Sequence, residues 1–158
     1  LADSRFVARR IGTIFSLLCA SPAYLEKYGE PKSLDDLQKH ACLRLVNPSI
    51  TPQWHLVSEN SCSYQIDITG QLIADTPELL LDMVQQDMGI ALLPTFAVIE
   101  AVRTGRLRRV LADWRSPDIG VYTLLPSRHF IDAKTRAWLT WVEQHVSPKI
   151  QSDTDYFL

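Results

Sequence analysis

The side chains able to do chemistry are few and scattered. His40 stands close before Cys42, and His55 precedes Cys62. Imidazole and thiolate are ligands that zinc takes, yet no C-x-x-C, no H-E-x-x-H and no paired ligand spacing occurs. A nucleophile would need a base set against it, and there is no G-x-S-x-G elbow, P-loop or G-x-G-x-x-G. Asp35, Asp36 and Asp113 read as solvated surface acids. Arg103, Arg106, Arg108 and Arg109 cluster about a turn and read as a solvated basic face, with a protein contact as the alternative. The expectation is no catalytic residue, no metal and no cofactor. What remains is a set of polar residues at corners where a strand meets a helix. Thr76 is a good N-cap followed by Pro77, which suits the first helical position because its missing N–H would be unpaired there anyway. Asp75 and Thr76 therefore have two readings: they cap a helix, or they and its free amides meet a small ligand. Ser21-Pro22 repeats the pattern, and Asn47-Pro48 is a turn signal after a strand. Pro94 and Thr95 close another apolar strand. The candidate contact residues are Asp75, Thr76, Ser21, Asn47, Pro94 and Thr95.

The elements that would position them are legible in the periodicity. Gln71 to Ala74 is of strand length, and a helix follows from Pro77 with Leu79, Leu80, Met83 and Val84 on one side. Gly89 sits where a left-handed residue would end that helix. Ile90 to Leu93 is apolar on both faces, as a buried parallel strand is. Such a strand–helix–strand unit puts Ala74, Asp75 and Thr76 at the C-terminal edge of a sheet, where open α/β sheets take ligands.

Elsewhere, Leu1 to Arg10 holds a short strand around Phe6 and Val7, and Ile14 to Ala20 forms a better one. Pro22 to Tyr28 is a short helix. A capping box at Ser33 and Asp36 opens a second helix through Lys39. Cys42 to Val46, Trp54 to Val57 and Tyr64 to Thr69 are strands, the last with Tyr64, Ile66 and Ile68 on one face. Thr95 can cap a helix from Phe96 to Thr104, and strands follow at 107–111 and 119–125. A last helix runs from Ala133 to Val146, with Trp138, Trp141, Val142 and His145 as its inner stripe. Residues 147–158 are polar and expected to fray.

Composition bounds the class. A chain of 158 residues that is 46% hydrophobic can bury a core, and no run of eighteen apolar residues exists to span a membrane. A formal charge of −2 gives this segment no reason to bind nucleic acid. Three unevenly spaced cysteines suit free thiols in a reducing cytosol. Leu1 stands where an initiator Met would, which predicts a piece of a longer protein.

The ordered set of motifs resembles the effector-binding domain of LysR-type transcriptional regulators. It comprises Leu18-Cys-Ala-Ser-Pro-Ala-Tyr-Leu25, Gly29-Glu-Pro31, Ser33-Leu-Asp-Asp-Leu37, Gly89-Ile-Ala-Leu-Leu-Pro94, Gly105 to Leu111 with Trp114, Val121 to Arg128, and Lys134-Thr-Arg-Ala-Trp138. The resemblance implies a type-2 periplasmic-binding-protein-like α/β fold: one complete lobe, a mixed sheet with flanking helices, plus the remnant of the other. On that reading 1–13 is the remnant of lobe one and the hinge, and 14–126 is the second lobe with both crossover strands. Residues 127–146 are then the C-terminal helix of lobe one, and 147–158 a frayed tail. It also implies a small-molecule effector of unknown identity, an anion being one option, held in an interlobe cleft. DNA would be bound only through an N-terminal helix-turn-helix absent from this chain, in a cytoplasmic homo-oligomer without membrane contact. Two rivals from other classes are a periplasmic solute-binding protein of a transporter, against which three unpaired cysteines weigh, and a cofactor-free enzyme on a similar fold.

Overall fold

A computed structural model describes residues 7–46, 53–58, 60, 62–68, 72–125 and 132–158. In chain order the elements are β1 (Val7–Ile14), β2 (Ser16–Ala20), α1 (Pro22–Tyr28), a 3-10 turn (Leu34–Lys39), β3 (Cys42–Leu45), β4 (Gln53–Ser58) and β5 (Ser63–Asp67). They continue with β6 (Ile73–Ala74), α2 (Pro77–Gln85), β7 (Ile90–Pro94), α3 (Thr95–Arg103), β8 (Arg108–Arg109), β9 (Trp114–Arg115) and β10 (Ile119–Leu125). The chain closes with α4 (Ala133–Trp141), a π-helical turn (Val142–Val146) and α5 (Ser147–Asp155). Two compact units result: Phe15–Pro117, and Leu1–Ile14 with Asp118–Leu158.

The larger unit is built on one mixed sheet, ordered β5-β4-β9-β2-β7-β3-β6 among the described residues, with β8 added against β2. β3 lies between β6 and β7 and is parallel to both, so the strand–helix–strand unit read from the sequence spans one interposed strand. β2 runs antiparallel to β7, with Ser16 opposite Pro94 and Cys19 opposite Ala91. Side chains alternate across each strand. On one face Leu18, Ala20, Cys42 and Ile90 join Tyr24, Leu25, Leu37, Trp54, Leu56 and Ile66 in a buried cluster. Leu17, Leu43, Ala91 and Leu93 take the opposite parity, and they too are buried, as are Leu80 and Val84 of α2 and Val98 of α3. Burial on both faces is why the central strands read as continuous apolar runs.

Several local expectations are corrected. α2 ends at Gln85, and Asp87, not Gly89, takes the left-handed conformation after it, at φ 61°. Gly89 is required for another reason: at φ 152°, a Cβ there would lie 2.2 Å from the Ala41 carbonyl oxygen. That oxygen accepts from Ile90 N at 2.8 Å and seats β7 on the strand beside it. Thr95 does not cap α3; Pro94 holds the cap position, and Thr95 is inside the first turn and fully buried. The segment after Ser33 is 3-10 rather than α-helical, although its box forms: Asp36 Oδ2 accepts from Ser33 N at 3.1 Å. Leu79 and Tyr64, read as inward, are exposed at 48% and 41%, because Leu80 with Val84, and Ile66 with Ile68, supply the buried stripes.

The smaller unit pairs β1 with β10 antiparallel from Val7–Leu125 to Ile14–Ile119, with an irregularity between Arg10 and Gly12. Ile119–Leu125, expected as the strand leaving the second lobe, thus pairs along its length with β1. The expected fraying of 147–158 is overturned. Ser147–Asp155 is helical, Asp153, Thr154 and Phe157 are buried, and Thr154 Oγ1 donates to Thr13 O of β1 at 3.0 Å. A Cβ on Gly12 would meet Ile150 Cγ2 at 2.6 Å, so the glycine lets α5 lie close. Ile150, Thr154 and Phe157 recur at helical spacing, a sparse stripe in a polar segment that composition alone hides. The tryptophans of α4 are not core either. Trp138 and Trp141 are about half exposed, while Leu139 and Val142 are buried. Trp141 stacks instead on His145, with ring centroids 4.8 Å apart.

Candidate functional site

Three parallel strands, β6, β3 and β7, point their C-terminal ends the same way, so the residues that follow them gather on one rim of the sheet. Asp75 and Thr76 follow β6 and are exposed. Thr76 Oγ1 accepts from Leu79 N at 3.3 Å, and Pro77 takes the first helical position, which leaves the remaining first-turn amides of α2 without intrahelical partners. Pro94 ends β7 and caps α3, and Thr95 is the first residue of that helix. Both are buried; Thr95 N donates to Phe15 O at 2.9 Å, while Thr95 Oγ1 has no hydrogen-bond partner among the described residues. Asn47 follows β3 in sequence but lies outside the described residues.

Ser21 is not brought to this rim. It follows β2, which runs the other way, and so stands at the opposite end of the sheet. Its hydroxyl is engaged there: it accepts from Tyr24 N at 3.1 Å and donates to Asp87 Oδ1 at 2.5 Å. Of the residues expected to make contacts, the described structure therefore unites Asp75, Thr76, Pro94 and Thr95 and separates Ser21 from them.

Two rim features escape a reading by corners. Ser116 N donates to Ser16 O at 2.9 Å and Ser16 N donates to Ser116 Oγ at 2.8 Å. This reciprocal pair ties the start of β2 to the residue that follows β9. The other is Arg44, one position before the end of β3 and half-buried, with Nε enclosed and unbonded among the described residues. Its signal was available in the sequence: Cys42-Leu43-Arg44-Leu45 places a charge inside an otherwise apolar strand.

The groups that suggested other chemistry are placed apart from it. Cys19 and Cys42 are buried, and burial pushes each thiol up to about 12, so both stay protonated at neutral pH; Cys62 is exposed. His40 hydrogen bonds Tyr24 Oη at 3.2 Å rather than a metal-ligand set. Among the described residues no three His, Cys, Asp or Glu side chains converge as a metal site, and no helix is long and apolar enough to cross a membrane.

The fold and this arrangement can be compared with known proteins. A family model described as the LysR substrate binding domain matches residues 1–147. The chain belongs to that family. A curated HTH-type transcriptional regulator of Xanthomonas campestris is 30% identical to this LysR-type domain over 162 residues, covering 100% of the chain and 46% of that protein. Among solved structures, the regulatory domain of CrgA, a LysR-type transcriptional regulator from Neisseria meningitidis, matches with a TM-score of 0.80 at 26% identity, covering 91% of this chain and 70% of that one. The full-length virulence activator AphB of Vibrio cholerae matches with a TM-score of 0.80 at 26% identity, covering 92% and 49%. The chain spans about half the length of the curated relatives it matches. These likenesses establish the α/β fold expected of LysR regulatory domains. They also favour a regulator's sensing domain over a transporter's binding protein, and point to a regulator rather than an enzyme.

Proposed function

We propose that this chain is the effector-sensing part of a bacterial LysR-type transcriptional regulator, and that a small metabolite binds on the rim formed by Asp75, Thr76, Pro94 and Thr95. The observation that carries the reading is the common polarity of β6, β3 and β7, which gathers two helix starts and the exposed Asp75 at one sheet edge. Free amides of a first helical turn and a carboxylate or hydroxyl beside them are groups that orient a polar ligand without any covalent step. In the whole protein, DNA would be bound by a helix-turn-helix outside this chain, within a cytoplasmic homo-oligomer. The ligand would act by its difference in affinity between two arrangements of the regulator, since equal affinity for both shifts nothing.

The test is a thermal-shift screen of metabolites on the full-length regulator, because a ligand bound only by the folded state raises apparent stability. A metabolite found this way is then titrated against Asp75→Ala and Thr76→Ala, with circular dichroism as the control for folding. The expected result is a weaker response in both variants at unchanged secondary structure. An unaltered titration in both would remove these residues from the site. The coding sequence upstream supplies a second check: a helix-turn-helix supports the regulator, whereas a secretory signal would overturn it.

A further inference from the structure

We infer that Arg44 anchors an oxyanion, a carboxylate or phosphate, carried by the effector; this rests on the reading of the rim as the effector site. Strand alternation puts Arg44 on the face of Cys42, and the parallel register puts it beside Ile73 of β6. One residue beyond the Leu43–Ala91 pair, it lies alongside Leu92 of β7. The same parity applied two residues past Ile73 brings Asp75 to that face, at the rim. Ile73 is half exposed and Leu92 half-buried, so the apolar face opens toward solvent at the point where Arg44 stands.

The physical case is the mismatch between the side chain and its surroundings. An arginine that never loses its charge is held with Nε shielded from solvent and unbonded, and no carboxylate among the described residues pairs with it. Surface arginines of this chain behave otherwise: Arg108 meets Glu30 at 2.9 Å, and Arg9 pairs with Glu143. A buried N–H is normally bonded, because desolvation without a partner is costly. A guanidinium donates in a planar fork that matches the two oxygens of a carboxylate or phosphate. Thr95 Oγ1, a buried hydroxyl likewise unbonded among the described residues, opens the helix at the end of the neighbouring parallel strand, so two unsatisfied polar atoms fall on one rim. The ligand class this selects is a small acid whose apolar part rests against Ile73 and Leu92.

The experiment uses relaxation-optimised NMR amide shifts of the full-length regulator, with acids and their uncharged amides as matched probes: benzoate against benzamide, succinate against succinamide, and inorganic phosphate, all at constant ionic strength. The inference expects saturable shifts at Leu45, Asp75 and Thr76 from at least one acid at millimolar concentration, absent with its amide. It expects affinity to fall by about tenfold or more in Arg44→Gln and to hold in Arg108→Gln. The phosphate and carboxylate arms separate the two oxyanions. Arg44→Met should lose the same binding while keeping or raising Tm, since an unbonded buried N–H is replaced by an apolar chain of similar length; a residue serving only to stabilise the strand would lower it. Acid binding that survives Arg44→Gln overturns the inference, as do shifts from the amides equal to those from the acids, though the latter leave the rim as a ligand site. No perturbation of the rim by any probe overturns the inference, and a metabolite screen that then also finds nothing retires the sensing role with it.

Discussion

At the scale of the residue, His40 shows how burial biases a protonation state. Tyr24 Oη accepts from Ala41 N at 2.9 Å and shares a hydrogen bond of 3.2 Å with His40 Nδ1. Burial depresses the histidine below its ordinary value of 6.5, Asp36 opposes this, and Lys39 adds to it. A depressed folded-state pKa means the unfolded chain binds more protons, so stability rises with pH through that window. The contribution is complete above pH 6.5 and is lost as pH falls through the folded value. Tm measured from pH 7.5 downward should decline below about 6.5, and His40→Gln should flatten that part of the profile. Gly89 gives a second residue-scale expectation. Any Cβ there strikes the Ala41 carbonyl at a backbone angle that L-residues rarely adopt. Gly89→Ala should therefore cost about 2 kcal/mol or more in chemical denaturation.

At the scale of the element, α2 separates capping from contact. Thr76→Ala removes the acceptor for Leu79 N and should cost about 1 kcal/mol. Thr76→Ser keeps the oxygen and should stay within a few tenths of wild type. A change in ligand response confined to the alanine variant, and larger than its stability loss explains, would assign Thr76 to the site as well as to the cap. α5 makes the complementary case for packing. Phe157, just past its end, is only 8% exposed, and Phe157→Ala should cost about 3 kcal/mol in the smaller unit. Thr154→Val, which keeps the volume and deletes the bond to Thr13 O, should cost about 1 kcal/mol.

At the scale of the whole molecule, the chain makes two cores from three stretches of sequence, 1–14 and 118–158 flanking 15–117. Separate cores predict separable protection. In hydrogen exchange, Phe157→Ala should lower the protection of β1 and β10 while β2 and β7 keep theirs. Equal loss in all four strands would mean a single cooperative block. Within the larger unit, the reciprocal Ser16–Ser116 pair ties the start of its first strand to the residue after its last.

The sequence by itself determined what depends on neighbours along the chain: the capped start of α2 at Thr76 and Pro77, the capping box at Ser33, the buried strand Ile90–Leu93, and the ordered motifs that mark the LysR family. These are legible because caps, alternation and helical spacing are local. Only the tertiary structure decided that β3 lies between β6 and β7, which places Arg44 on the rim. It also decided that Ser21 faces the opposite edge, that Gly89 exists for the Ala41 carbonyl, and that α5 is held by β1. Each of these depends on which distant strand lies alongside and in which direction. A pattern of period two or 3.6 names the face a residue presents but not the partner that face will meet.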